Sequence, residues 1–439
     1  MSREFLPLIV DNHVESMGNR PKIPDLSVVG AIIDCMLYAT HALVDLNRLG
    51  ENARAIRHRV GKRALLVPVK ANAYGHGAVE VTGYLQQNGL ADYLAVATTP
   101  EALSLRDAGI TLPILRLSPA FDEELCALSD ARVSITVVDE VSAERAARAG
   151  FAAPVHLAID TGMHRIGCRP GQALRVAQKI TDLGLNLEGI FTHLPVSDVE
   201  SGREYTASQL RVFNDAASQI QQARRDAGLA PIKYVHSANS GAVLGHDLGG
   251  INLVRPGILF YGYYPDATSP KTVEVRPALE LKSRVSALRR ISDGQTVSYG
   301  RTWAASGERW IATVPVGYAD GYSRLLSNRG RMLSGGVSYP IAGRVCMDQT
   351  MFDLGVADES PLSVGDEVTL LGADGSEKIT ADEIADQTST ISYEVLASIS
   401  PRVPRVYKTN AQLVNELRDR HDEGATTEQI LDALQAERK

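Results

Sequence analysis

Between about residue 40 and residue 265 this chain repeats one pattern eight times: a short β-branched or aliphatic run, then a longer amphipathic stretch. The runs are Ala64–Val69, Tyr93–Ala97, Pro113–Leu115, Val133–Val138, Val155–Ile159, Gly189–Thr192, Tyr234–Val235 and Asn252–Val254. Between them, Glu101–Ala108, Ser142–Ala149, Gly171–Leu183 and Thr206–Ala227 have helical spacing, and several are followed by a glycine suited to a helix C-terminus. Strands alternating with helices pair in parallel, and eight of them predict a (β/α)8 TIM-type barrel in the α/β class. An open doubly wound sheet meets the same pattern, because short apolar runs do not fix closure.

The texture changes after residue 270. Tandem short strands are expected at Val273–Leu281, Trp310–Pro315, Val337–Ile341 and Glu367–Leu371, with turns such as Asp293-Gly294 and Asp374-Gly375. The expected organisation is an N-terminal extension over 1–40, a barrel over 41–270, an all-β domain over 271–407 and a charged helical extension over 408–439. A length of 439 residues accommodates a barrel of roughly 250 residues and a smaller domain.

Charge narrows the partners. Lys and Arg number 45 against 52 Asp and Glu, a net charge of −7, which disfavours a nucleic-acid groove or an anionic membrane surface. Cys35, Cys126, Cys168 and Cys346 lack metal-ligand or redox spacing, so no disulfide framework and no metal site is expected. Residues 1–18 lack the order of a signal peptide, and the run Val28–Leu46 is interrupted by Asp34, His41 and Asp45. A cytoplasmic protein acting on a small molecule is the expectation.

Candidate chemistry gathers at strand ends. Lys70 directly follows the first barrel strand, in the run VKANAYGHG over 69–77. A desolvated lysine suits Schiff-base chemistry with a carbonyl cofactor, whereas one at the strand mouth can simply reach solvent. Polar residues fall at the same end of later strands: His156 and Arg165 around strand five, His193 after six, Asn239 and Ser240 after seven, Arg255 and Gly257 at eight. That face of a barrel carries active sites, and its last two loops commonly hold phosphate. Ser240 with the Gly257–Ile258 backbone offers neutral donors for such a group.

Six motifs in order, VKANAYGHG, DTGMHR (160–165), VRPGILFYG (254–262), VSYG (297–300), VGYADGYSR (316–324) and GRVCMDQ (343–349), resemble the alanine racemase family over about residues 41–407. The resemblance implies a barrel with a β-domain, pyridoxal 5'-phosphate as cofactor, and L-/D-alanine interconversion feeding peptidoglycan in a bacterium. It implies that Lys70 holds the cofactor and that Tyr74, Ser240, Tyr393 and the backbone at Gly257 and Ile258 bind its phosphate. Arg255 would face the pyridine nitrogen. Arg165 and the Met347 backbone would hold the substrate carboxylate, with Tyr318 and Cys346 on its access path or in packing. Tyr299 would be the second base, supplied by the other subunit of a head-to-tail homodimer. Two acid/base groups must flank the carbon in racemisation. A phenol near pKa 10 is a poor base, so Tyr299 needs positive charge nearby, for which His193 and an arginine are the candidates. Asn72 and His76 are expected to shape the turn behind Lys70.

Three positions depart from the family pattern. Ala158 stands where many members carry a lysine that becomes carbamylated, leaving space that water or an anion such as chloride can fill. Leu194–Asp198 follow His193 in place of Phe-Ala-x-Ala-Asp. Pro68 removes a ladder donor two residues before Lys70. A broader racemase accepting serine is the nearest alternative, against which Tyr393 argues by narrowing the pocket. A non-catalytic pyridoxal-phosphate protein would have no use for Tyr299, and a decarboxylase is disfavoured by DTGMHR and GRVCMDQ.

Overall fold

The computed structural model describes residues 39–408, so the expected extensions over 1–40 and 408–439 lie almost wholly outside the described residues. After β1 (His41–Val44) come the strands β2 (Ala64–Pro68), β3 (Tyr93–Val96), β4 (Ile114–Pro119), β5 (Val133–Val137), β6 (Val155–Ala158), β7 (Leu187–Phe191), β8 (Tyr234–His236) and β9 (Leu253–Val254). They form one parallel sheet in the order β8-β7-β6-β5-β4-β3-β2-β9. The seam between its edges is bridged by backbone bonds, Asn252 N to Val235 O (3.1 Å) and Arg255 N to Ala238 O (2.7 Å). The Asn252 carboxamide also accepts from Val235 N and donates to Lys233 O. A side chain thus completes the ladder, and the open-sheet alternative gives way to a nearly closed barrel.

The helices start and stop where local chemistry dictates. Asp45 caps Leu46–Val60 by accepting from Asn47 and Arg48 N–H, and Thr98 with Glu101 boxes the start of Thr99–Asp107. Gly109, Gly150, Gly184 and Gly228 end helices with φ between 67° and 78°, a region where a Cβ is costly. No helix among the described residues is long and apolar enough to cross a membrane.

The C-terminal part is built from β10 (Leu279–Arg284), β11 (Ala287–Ile291), β12 (Thr296–Val297), β13 (Trp303–Ala304), β14 (Arg309–Val314), β15 (Arg331–Ser334), β16 (Val337–Pro340), β17 (Thr350–Gly355), β18 (Glu367–Asp374), β19 (Glu377–Ile379) and β20 (Arg405–Tyr407). The main sheet runs β16-β15-β18-β10-β1-β20, with β19 beside β18, and β11-β14-β17 forms a second. Two helices, Ala381–Thr388 and Ser392–Ala397, interrupt what the sequence suggests is all-β.

Two boundaries shift. Residues 41–44, inside the bounds expected for the barrel, form a strand that pairs with β10 and β20, and the barrel sheet begins at the expected Ala64. The strand expected from Val273 begins at Leu279, because the Asn52 side chain takes both the N–H and the C=O of Arg276 and Pro277 offers no donor.

Candidate active site

A cavity of about 270 Å³ opens at the C-terminal mouth of the barrel, lined among others by Lys70, Tyr74, Arg165, His193, Ser240, Arg255, Gly257 and Tyr393. Eight sequence candidates therefore converge, seven from five strand ends and Tyr393 from the helix Ser392–Ala397. Ile258, fully buried behind Gly257, does not line it. His156 does not either. It is the second residue of β6, pointing into the barrel two residues below the mouth, where Gly189 leaves room for its ring.

Lys70 leads into a left-handed turn. Ala71, Asn72, Ala73 and Tyr74 all have φ of 52–53°, which costs about 1–2 kcal/mol per residue for an L-side chain. The surroundings hold it. Glu101 accepts from Ala71 N (2.6 Å) and from Ala97 and Thr98 N–H, Asn72 Oδ1 accepts from Ala78 N, and His76 Nδ1 lies 2.9 Å from Tyr74 O. From the β-domain, Arg405 Nε donates to Gly75 O. Asn72 and His76 thus brace the turn, while Glu101 and Arg405 are contributors that the sequence reading missed. The T-x-x-E capping pattern at Thr98–Glu101 was a usable signal for the first.

Burial pushes the Lys70 amine below its ordinary pKa, and the Arg165 charge adds to this while Glu101 opposes it. Arg255 is fully buried, and burial followed by Arg165 lowers its pKa, though a guanidinium stays charged. It has no carboxylate partner among the described residues. Its Nη1 donates to His236 Nδ1 (2.8 Å) and its Nη2 shares two protons among Thr192 O (2.8 Å), Ser237 O and His193 Nδ1, while Nε makes no hydrogen bond among the described residues. His193 is therefore an acceptor at Nδ1 and carries its proton on Nε2. Burial, then Arg255, Arg165 and Lys70, holds its pKa down at about 3. It is neutral, so the positive charge expected of it must come from the arginines.

The other end of the cavity bears neutral donors. Tyr74 stacks on Tyr261 at 4.7 Å and lies 6.0 Å from Tyr393. Burial raises both phenols, Tyr74 to about 12, so they remain O–H donors. A Cβ built on Gly257 would fall 2.8 Å from Tyr74 Oη, so only glycine leaves that cradle open. Asn239 caps the helix that Ser240 begins and binds Leu194 O and Ser197 Oγ, which fixes the divergent segment after His193. Ala158 lines the cavity without filling it, and Arg165 makes no hydrogen bond among the described residues.

Tyr299, Tyr318, Cys346 and Met347 do not line the cavity. They form a second group on the β-domain. Ser298 Oγ donates to Arg344 O (2.7 Å) and lies 3.4 Å from Cys346 Sγ, and Tyr318 N donates to Cys346 O. Ser298, Gly300 and Arg301 have φ of 68°, 73° and 50°, so Tyr299 also stands in a left-handed bend. It is 72% exposed, and Met347 52%.

Residues 44–265 match the sequence profile of the alanine racemase N-terminal domain and residues 278–407 that of the C-terminal domain. An alanine racemase of Cutibacterium acnes is 47% identical over 374 residues, spanning 84% of this chain and 97% of that protein. The solved alanine racemase of Clostridium difficile 630 superposes with a TM-score of 0.76 at 37% identity, covering 84% of this chain and 95% of that one. The structure from Bacillus anthracis, solved with bound L-Ala-P, gives 0.78 at 35% identity over 84% and 95% of the two chains.

Proposed function

This chain belongs to the alanine racemase family and is an isomerase interconverting L- and D-alanine, and we propose that it works at the barrel mouth with pyridoxal 5'-phosphate held by Lys70. The observation that carries this reading is the convergence of Lys70, Arg165 and Arg255 on one cavity whose far end offers only neutral donors.

The residues fit that cofactor. Tyr74, Tyr393, Ser240 and the backbone at Gly257 make a cradle of hydroxyl and N–H donors, closed to any larger residue at Gly257. Arg255 brings an unused Nε–H to the cavity. When bound, pyridoxal phosphate supplies a carbonyl that condenses with amines and a conjugated ring that takes up the electron pair of the α-carbon. Arg255 would donate a hydrogen bond without giving up its proton, and so would keep a ring nitrogen neutral and limit delocalisation.

Lys70 is nucleophile and base in turn. Its desolvation increases the free-amine fraction, so Lys70 would hold the cofactor covalently and its amine would serve to move a proton on one face of the α-carbon. Arg165, with no hydrogen-bond or carboxylate partner among the described residues, is placed to hold the substrate carboxylate. Tyr299 serves the opposite face from a second copy of the chain, with the Met347 backbone beside it, in a head-to-tail homodimer. The exposure of that group supports this assembly, since an unshielded phenol offers little as a base. His193 contributes a neutral Nε2–H, and Arg165 and Arg255 the charge. We further assign the enzyme to the cytoplasm, supplying D-alanine for peptidoglycan.

The test combines a racemisation assay on L-alanine and L-serine with borohydride reduction and peptide mapping. A pyridoxyl group on the peptide carrying Lys70, absent in Lys70→Ala, is the expected result. Labelling of a different lysine would overturn the assignment.

A further inference from the structure

The barrel interior holds a buried polar column that racemisation chemistry at the mouth does not use. Barrels are ordinarily filled by branched aliphatic layers. Here His236 and His156, both fully buried, lie directly below Arg255, and Glu188 lies below them at the start of β7. Arg255 Nη1 is 2.8 Å from His236 Nδ1, His236 Nε2 is 2.9 Å from His156 Nδ1, and His156 Nε2 is 3.5 Å from Glu188 Oε2. The last distance is that of an ion pair, not of a formed hydrogen bond: His156 Nε2 is buried without a hydrogen-bond partner among the described residues, and Glu188 Oε2 is the carboxylate it faces.

The ends of this chain fix its direction. A guanidinium only donates, so His236 Nδ1 accepts and its proton sits on Nε2. His156 Nδ1 must then accept, which puts its proton on Nε2, facing the carboxylate. Read from the floor, the same tautomers result. Burial works to raise the Glu188 pKa, but His156 and Lys233 prevail and hold it at about 2, so it only accepts. Tyr93 Oη and Lys233 Nζ, each at 3.1 Å, are its remaining partners. Gly189 is part of the device, since a Cβ there would fall 2.3 Å from His156 Nδ1.

We propose that Glu188 is a positioning residue for the reaction: through His156 and His236 it keeps an acceptor in front of Arg255 Nη1 and so fixes the plane in which Nε faces the cavity. This rests on the reading that Arg255 faces the cofactor ring, but the column can be tested apart from it. Selective imidazole ¹⁵N labelling of the cofactor-free full chain, with signals assigned by His156→Gln and His236→Gln, reads the tautomers directly. Protonated Nε2 and bare Nδ1 on both rings are expected. A protonated Nδ1 on either ring overturns the proposal without any need for a variant at Glu188.

The second arm is Glu188→Gln, which keeps shape but lets either donor or acceptor meet His156. It should mix the tautomers and weaken pyridoxal phosphate binding, followed by absorbance titration, by about tenfold, equivalent to one pKa unit of preference. Tyr93→Phe removes another bond to Glu188 and should leave both readouts in place. Unchanged tautomers and cofactor affinity in Glu188→Gln overturn the proposal. If tautomers mix in Glu188→Gln while Arg255→Gln leaves cofactor affinity intact, it is the placement of Arg255 that fails.

Discussion

Lys70 and Tyr299 are both delivered by backbone in the left-handed region, yet the two turns have little else in common. The turn after Lys70 is braced from three directions by Glu101, His76 and Arg405, and its lysine lines a cavity where burial has already altered its basicity. The turn at Tyr299 is braced by the 343–346 segment and by Asn328 on Thr302, and its phenol stands largely in water. Strain of this kind persists only where surroundings over-determine it, and it collects at functional sites. Its presence at both places marks both side chains as placed. The difference in burial sets an enclosed Lys70 against an open Tyr299, the contrast that the proposed shared assembly requires.

The comparison can be broken most sharply at Lys70. Lys70→Ala should lower racemisation in both directions by more than about 10⁴-fold, measured by coupled or chiral assay, because anchor and base vanish together. Tyr299→Phe should cost about 10²–10⁴-fold while leaving cofactor binding intact. In D₂O, NMR of that variant should show α-deuteration of D-alanine, served by Lys70, and none of L-alanine. Equal exchange from both enantiomers would mean that one base reaches both faces.

Acid should separate the halves. His76, His156, His193 and His236 are buried neutral in the barrel, with His76 near 4 and His193 near 3, whereas residues 278–407 contain no histidine and the strands of the β-domain carry His41 alone, on β1. Below about pH 6.5 the unfolded chain binds protons that these imidazoles refuse. Each withdraws about 1.4 kcal/mol of barrel stability per pH unit, tenfold in the unfolding equilibrium, until its folded pKa is reached. Hydrogen exchange at pH 5 against pH 7 should show faster opening of β6 to β8 than of β14 and β17. A uniform change would remove the distinction.

The mildest effect sharpens the assembly. Mixing Lys70→Ala with Tyr299→Phe chains should restore about a quarter of wild-type activity, since half the dimers are mixed and each has one intact site. No recovery, with exchange of subunits verified by mass, would place both groups in one chain.

The barrel strands were legible because each is buried on both faces and bounded by turn residues. β1 and β20 were not legible as a pair, since what makes them strands is pairing across more than 360 residues of sequence. At the site, position after a strand was enough to find Lys70, His193, Ser240 and Arg255. The same reasoning misplaced His156, because one pleat along a strand separates the mouth from the interior. The charge state of His193 was beyond reach, for it depends on how far the arginines and the burial outweigh an ordinary imidazole pKa. Arg405 left no mark in the sequence because its partners are backbone atoms, whereas Glu101 was legible only through its T-x-x-E cap with Thr98.

The placement of β1 between β10 and β20 has a consequence for how the molecule is made. The barrel is in effect a long insertion in the β-domain, whose first strand leaves the ribosome with neither neighbour yet synthesised. At ~5–20 residues per second, β1 waits about 20–70 s for β20. The barrel has time to form in that interval, and the β-domain sheet can close only when the last described strand arrives. A chain stopped just short of Arg405 would thus carry a finished barrel and an open sheet edge, with Gly75, at the end of the lysine turn, missing its tie to Arg405.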